Sequence, residues 1–244
     1  MSLRSKIMVR SLARRLGILA VLRRLIGWWR SISGKAYEVD FDRELEAMIR
    51  PGDTVWDVGA NLGHYTERFA DLVGSGGEVH GFEPMPTCFR SLTERVGQRP
   101  NVTLHEVALG DVRMKMAIVP EQDPLGSTHS LVGEPSDGHA SLDVQVWDGE
   151  GYRQDLGLAV PQVIKVDVEG FELEVLRGID QILADGACRA VGVEVHFAVL
   201  ERRGARDAPV TLVSLLEGHG FEVSWTDASH VVAVRDRVRS GEGQ

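Results

Sequence analysis

Thr54-Val55-Trp56-Asp57-Val58-Gly59-Ala60-Asn61-Leu62-Gly63 sets a short β-branched and aromatic run directly against a glycine turn, and helical spacing follows from Gly63 to about Val73. A strand feeding a glycine turn and then a helix opens a doubly wound α/β sheet, which receives nucleotide-like ligands in the crevice at that turn. Pro51-Gly52-Asp53 turns the chain into the strand. A full dinucleotide fingerprint would need glycines at positions 61 and 64, where the chain has Asn61 and His64. The backbone approach that a pyrophosphate requires is therefore only partly provided.

Working outward, the alternation continues. After a glycine-rich break at Gly74 to Gly77, a second strand is predicted over Glu78 to Phe82. Pro84 and Pro86 open a helix reaching about Val96, as proline does well in a first turn. Val102 to Val107 reads as a third strand, giving β-α-β-α-β and hence a parallel sheet. Asp111 to Leu158 interrupts this with two strands, Arg113 to Val119 and Leu142 to Trp147, around a stretch rich in Gly, Ser, His and Pro. Such an insertion in a compact domain is usually functional. Regularity returns with a strand over Val163 to Val168, a helix from about Phe171 to Leu183 and a strand over Ala190 to His196. A helix over Pro209 to His219 and a hairpin of Phe221 to Trp225 with His230 to Val234 close the pattern. The expected organisation is one domain over residues 38–236, with 111–158 as a cover for the site, an N-terminal helical extension over 1–37 and a solvated tail over 237–244.

The chain has 244 residues, 43% of them hydrophobic, enough for one enlarged α/β core. Cys88 and Cys188 are its only cysteines, so spacing supports neither a disulfide framework nor a cysteine zinc site, and a cytoplasmic home is expected. The net charge of −9 argues against nucleic acid as a partner. Charge is unevenly distributed: the basic residues from Arg4 to Lys35 meet no Asp or Glu before Glu38. Met8, Leu12, Leu16, Leu19, Leu22 and Ile26 repeat at three and four, as an apolar helix stripe would. Its uncharged run from Leu16 to Leu22 is far short of the roughly 20 residues that a spanning helix needs. Residues 1–30, with Trp28 and Trp29, are expected to lie peripherally on an anionic inner membrane surface or to pack against the acidic body or a partner; a targeting peptide is the third reading.

Two acids mark the ligand end of the sheet. Asp57 ends the first strand and Glu83 the second, where a carboxylate can accept both hydroxyls of a ribose. S-adenosylmethionine has a ribose and no phosphate, so acids and small residues suffice for it. Asp57 to Tyr65, Gly81-Phe82-Glu83-Pro84-Met85-Pro86, Ala108-Leu109-Gly110 and Ile164 to Glu172 (IKVDVEGFE) together resemble the successive motifs of the FkbM family of S-adenosylmethionine-dependent methyltransferases. The resemblance implies the class I methyltransferase fold, a seven-stranded, mostly parallel Rossmann-like sheet with one antiparallel strand. It also implies that Asp57, Gly59, Asn61, Gly63, Tyr65 and Glu83 border the cofactor and that Glu106 to Ala108 lie near the adenine. Ser127 and Thr128, in the insertion, would help select the acceptor. Val146-Trp147-Asp148-Gly149 departs from the family's Leu-Asp-Asp-like run.

A methyl acceptor hydroxyl is barely ionised at neutral pH, so a base or a metal must assist it. Asp167 and His196 end neighbouring predicted strands, and the pairs Lys165/Asp167 and Glu194/His196 each share a strand face. One reading has Asp167 orienting the acceptor or a divalent ion while His196 removes the hydroxyl proton, with Glu169 beside them. Mg²⁺ or Mn²⁺ would suit Asp167, Glu194 and His196. The structural alternative is an internal network in which Lys165 pairs with Glu194 and His196 caps it, with Glu172 on a helix face. The expected activity is O-methylation of a sugar, glycolipid or secondary-metabolite hydroxyl. A nicotinamide-dependent oxidoreductase and a non-catalytic cofactor-binding protein are the alternatives.

Overall fold

Val55, Trp56, Asp57 and Val58 are all buried, as expected of a parallel strand covered on both faces. The computed structural model describes residues 39–120, 129–131 and 142–235. The chain divides into two units at Asp40, and the packing below lies within the second, Phe41–Gln244. The expectations for residues 1–37, for Ser127 and Thr128 and for the tail fall outside the described residues.

Strand β1 (Thr54–Val58) runs parallel between β2 (Glu78–Phe82) and β8 (Val163–Val166). Beyond β2 lies β3 (Val102–His105), and beyond β8 lies β9 (Ala190–Glu194). Then come β11 (His230–Val234), antiparallel to β9, and β10 (Glu222–Trp225) at the edge. The order β10-β11-β9-β8-β1-β2-β3 is a seven-stranded sheet in which β11 alone runs against its neighbours. Register keeps the two faces distinct. Val55 lies beside Val79 and Val163 and faces Phe41, Leu45, Phe69 and Val73; Trp56 and Ile164 face Leu176, Leu183 and Leu212.

Helix α1 (Val39–Glu46) supplies Phe41 and Leu45 to the first face. In α2 (His64–Val73) the buried residues are Thr66, Phe69, Ala70 and Val73, one stripe at helical spacing. Helix α3 (Pro86–Val96) carries proline in its first turn. The insertion departs from expectation: besides β5 (Met114–Pro120) and β7 (Leu142–Asp148), it brings in β4 (Ala108–Gly110) and β6 (His129–Leu131) as a second sheet, in the order β4-β7-β5-β6. A helix, α4 (Gly149–Leu156), follows; the Asp148 carboxylate caps it by accepting the Gly151 amide proton at 2.6 Å.

The helix predicted from Phe171 to Leu183 is two, α5 (Glu172–Gly178) and α6 (Asp180–Ala184). Gly178 presses on β4, where any Cβ would sit 1.6 Å from the Gly110 carbonyl oxygen, so the break follows from a tertiary contact. The strands expected to reach Val168 and His196 end at Val166 and Glu194; Asp167 follows the first by one residue and His196 the second by two. Helix α7 (Phe197–Arg202), not anticipated, starts at once after His196, and α8 (Ala208–Gly218) packs on α5. Among the described residues no helix is long and apolar enough to cross a membrane.

Candidate active site

The carboxyl ends of β1, β2 and β8 converge on one cleft. Gly59, Asn61, Phe82, Glu83, Met85, Val107, Ala108, Leu109, Asp167, Val168, Glu169 and Phe171 all line it. Gly59 makes the convergence possible: its φ is +83°, and a Cβ there would lie 1.8 Å from the Asp167 carbonyl oxygen. The glycine turn thus lets two loops of the chain touch, a requirement separate from any ligand.

Glu83 is 5% exposed. Its Oε2 accepts the Asn61 amide proton at 2.9 Å and its Oε1 that of Met85 at 2.8 Å. Burial pushes its carboxyl up to about 7, with Asp57 and Asp167 adding to the rise against the two amide bonds. Each oxygen keeps a lone pair for a further donor, and apolar Phe82, Val107 and Leu109 line the same cleft. A vicinal diol attached to a flat ring, as in an adenosine, fits that combination.

Four of the residues expected at the cofactor lie elsewhere. Asp57 is fully buried beneath the turn, accepting the Thr66 hydroxyl proton at 2.6 Å and standing 3.5 Å from the Lys165 ammonium. Gly63 caps α2 at φ +83°, packed against Leu92. Tyr65 donates to Asp42 at 2.6 Å and offers its ring to Lys165. Glu106 is exposed. Gly59, Asn61, Glu83 and Ala108 are the expected cofactor residues that line the cleft.

At the far end of the cleft, Asp167, Glu169 and His196 come together with one donor atom each, all within 4.8 Å of one another. Glu169, at φ +52°, and Gly170, at φ +96°, form the turn that brings the two acids to the same side. His196 Nε2 lies 3.2 Å from Glu169, 3.7 Å from Glu194 and 3.8 Å from Asp167. Its Nδ1 meets the buried Glu172 carboxylate at 2.8 Å, which also accepts the Gly170 amide proton. Glu172 is thus a wall of the site and not the helix-face residue expected.

The electrostatics alter the role read for His196. Burial opposes its charge, but the Glu172 hydrogen bond and the charges of Asp167, Glu169 and Glu172 prevail and push it up to about 9. That favours the imidazolium, which has no vacant lone pair for a proton. Glu169, pushed up to about 7 by burial despite the His196 charge, is better matched to that task. The expected Lys165–Glu194 pair is also replaced: Lys165 lies 3.3 Å from Asp167 and 3.5 Å from Asp57, which hold its ammonium above the usual lysine range although burial opposes them. Glu194 instead meets His230 at 3.5 Å, and His230 meets Asp227 at 2.8 Å. Sequence reasoning missed His230 and Asp227; the position of His230 at the start of the last strand, opposite Glu194, is the one available signal.

The fold and cleft together define a class I methyltransferase, the class that takes S-adenosylmethionine as cofactor. Residues 57–223 match the methyltransferase FkbM domain, and the chain belongs to the FkbM methyltransferase family. That membership sets aside the nicotinamide-dependent oxidoreductase. The chain is 31% identical over 205 residues to the 31-O-demethyl-FK506 methyltransferase FkbM of Streptomyces tacrolimicus, covering 72% of this chain and 75% of that one. It is 30% identical over 163 residues to the hexuronic acid methyltransferase AglP of Haloferax volcanii, covering 66% of this chain and 64%, just under two thirds, of AglP. The crystal structure of a methyltransferase FkbM from Methylobacillus flagellatus KT superimposes with a TM-score of 0.50 at 15% identity, over 75% of this chain and 43% of that one, a likeness of fold.

Proposed function

We propose that this chain transfers the methyl group of S-adenosylmethionine to a hydroxyl of a sugar or secondary metabolite. The observation that carries the reading is that one cleft is lined by the diol-binding carboxylate Glu83 at one end and by Asp167 and Glu169 at the other. Glu83 would hold the ribose hydroxyls, and Val107 and Ala108 would border the adenine. The acceptor hydroxyl approaches the sulfonium methyl in line, and positioning supplies much of the rate. As the carbon–oxygen bond forms and the carbon–sulfur bond breaks, Glu169 takes the hydroxyl proton and S-adenosylhomocysteine leaves. Asp167 orients the acceptor. The His196 imidazolium offsets the clustered carboxylates and is itself oriented by Glu172.

In a metal-loaded form, with His196 deprotonated and Glu169 no longer the proton acceptor, Asp167, Glu169 and His196 would hold Mg²⁺ or Mn²⁺, in place of the Asp167, Glu194 and His196 set read from sequence. Such an ion would lower the pKa of the acceptor hydroxyl. The names of the two relatives, a hexuronic acid methyltransferase and a 31-O-demethyl-FK506 methyltransferase, support methylation at oxygen. Incubation with labelled S-adenosylmethionine and a sugar and lipid extract tests the proposal. A labelled product, lost on Asp167→Asn, is expected. Failure of the chain to bind S-adenosylhomocysteine would overturn it.

A further inference from the structure

Two large aromatic side chains stand exposed at the reacting end. Phe197 is 45% exposed and Trp225 43%, and their ring centroids lie 5.8 Å apart at an interplanar angle of 30°. Phe197 follows His196 directly and opens α7. Trp225 ends β10 beside Val231, whose neighbour His230 faces Glu194 across the β9–β11 ladder. The ring pair therefore shares the sheet end that carries the Asp167, Glu169 and His196 cluster. It does not line the cofactor cleft. Water-exposed aromatic rings of this size are costly, and a tilted pair presents apolar faces to whatever enters from this sheet end. A hydroxylated ring molecule suits this end, since its axial C–H bonds pack on an aromatic face while its hydroxyls reach carboxylates.

Charge narrows the occupant. The ammonium of Lys165, buried at this end, already holds Asp57 and Asp167. Arg203 is bound to the Gly170 carbonyl and Glu174 and covers the Phe171 ring. Among the described residues, an acceptor carboxylate would enter beside Asp167, Glu169, Glu172 and Glu194, at a cost from like-charge repulsion.

We infer that Phe197 and Trp225 form the acceptor subsite and that it takes an uncharged, hydroxylated six-membered ring of the neutral pyranose type in preference to a uronate. This rests on the methyl-transfer reading above and adds the acceptor's class to it. The probes are the methyl glycopyranosides of glucose, galactose, mannose and rhamnose, set against methyl glucuronide and methyl galacturonide. Saturation-transfer NMR in the presence of saturating S-adenosylhomocysteine reads their contact with the protein. Transfer is expected to the ring C–H protons of at least one neutral glycoside, with uronates weaker.

The double variant Phe197→Ala/Trp225→Ala should weaken that glycoside roughly tenfold. Trp225→Phe should keep most of the binding. Both rings are exposed, and unchanged S-adenosylhomocysteine affinity checks that the variants fold. No transfer from any neutral glycoside, uronates that bind as well, or a double variant that binds like the parent would each overturn the subsite. A parent chain that does not bind S-adenosylhomocysteine would instead overturn the methyl-transfer reading, so the two failures are distinguishable.

Discussion

Replacing Glu83 by glutamine should change how stability depends on pH, by an amount that follows from the burial of one carboxylate. Glu83 lies 5% exposed, and burial raises its carboxyl from 4.5 in the open chain to about 7. The folded state therefore binds a proton more tightly than the unfolded state does. Stability from this group is fully present below the unfolded pKa and is lost as pH rises through the folded one. Linkage between 4.5 and about 7 puts the loss from about pH 5 to about pH 8 at about 2–3 kcal/mol. Glutamine cannot ionise, so this slope disappears. Its amide nitrogen faces the Asn61 or Met85 amide, and losing that bond costs about 1–3 kcal/mol at every pH. The diagnostic is thus the difference between the two proteins and not either value alone. Urea denaturation of both, without ligand, should show the variant gaining on the parent by about 2–3 kcal/mol between about pH 5 and about pH 8. Curves that stay parallel across that range would refute the buried, raised carboxylate. Calorimetry completes the argument: S-adenosylhomocysteine should bind the parent more tightly as pH rises through about 7, while the variant binds roughly 10- to 100-fold more weakly with no such pH dependence.

Gly59→Ala should destabilise the fold by more than about 3 kcal/mol, since the new Cβ would sit 1.8 Å from the Asp167 carbonyl oxygen. Thermal unfolding measures it, and a loss below about 1 kcal/mol would show that the two loops do not touch. Glu169→Gln should lower kcat by roughly 10²- to 10⁴-fold while leaving S-adenosylhomocysteine affinity near that of the parent; a parent-like kcat would remove Glu169 as proton acceptor. For the basic leader, flotation on anionic vesicles should be lost in a chain starting at Ala36, and equal flotation would end the membrane reading.

Much of the scaffold was legible in the residues alone. The bounds of β1 and β2 coincide with those expected, because Pro-Gly-Asp and the break at Gly74 to Gly77 mark their starts and glycine and proline turns their ends. The cofactor end was legible for a related reason: Gly59, Asn61 and Glu83 lie at strand ends, where topology determines what they face. The insertion was less so, since β4 is three residues long and exists only by pairing with β7.

The reacting end divides differently. Its principal members, Asp167, Glu169 and His196, follow from position at the ends of neighbouring strands. Their chemistry does not. Glu172 reaches His196 across 24 residues of sequence, and Glu194 turns to His230 because the last strand doubles back beside β9. Protonation of His196 and Glu169 depends on burial and on which carboxylates stand within a few ångströms. Those quantities have no counterpart in spacing, so the sequence by itself determined the sheet and the residues at its edge. Tertiary structure decided which of them carries the proton.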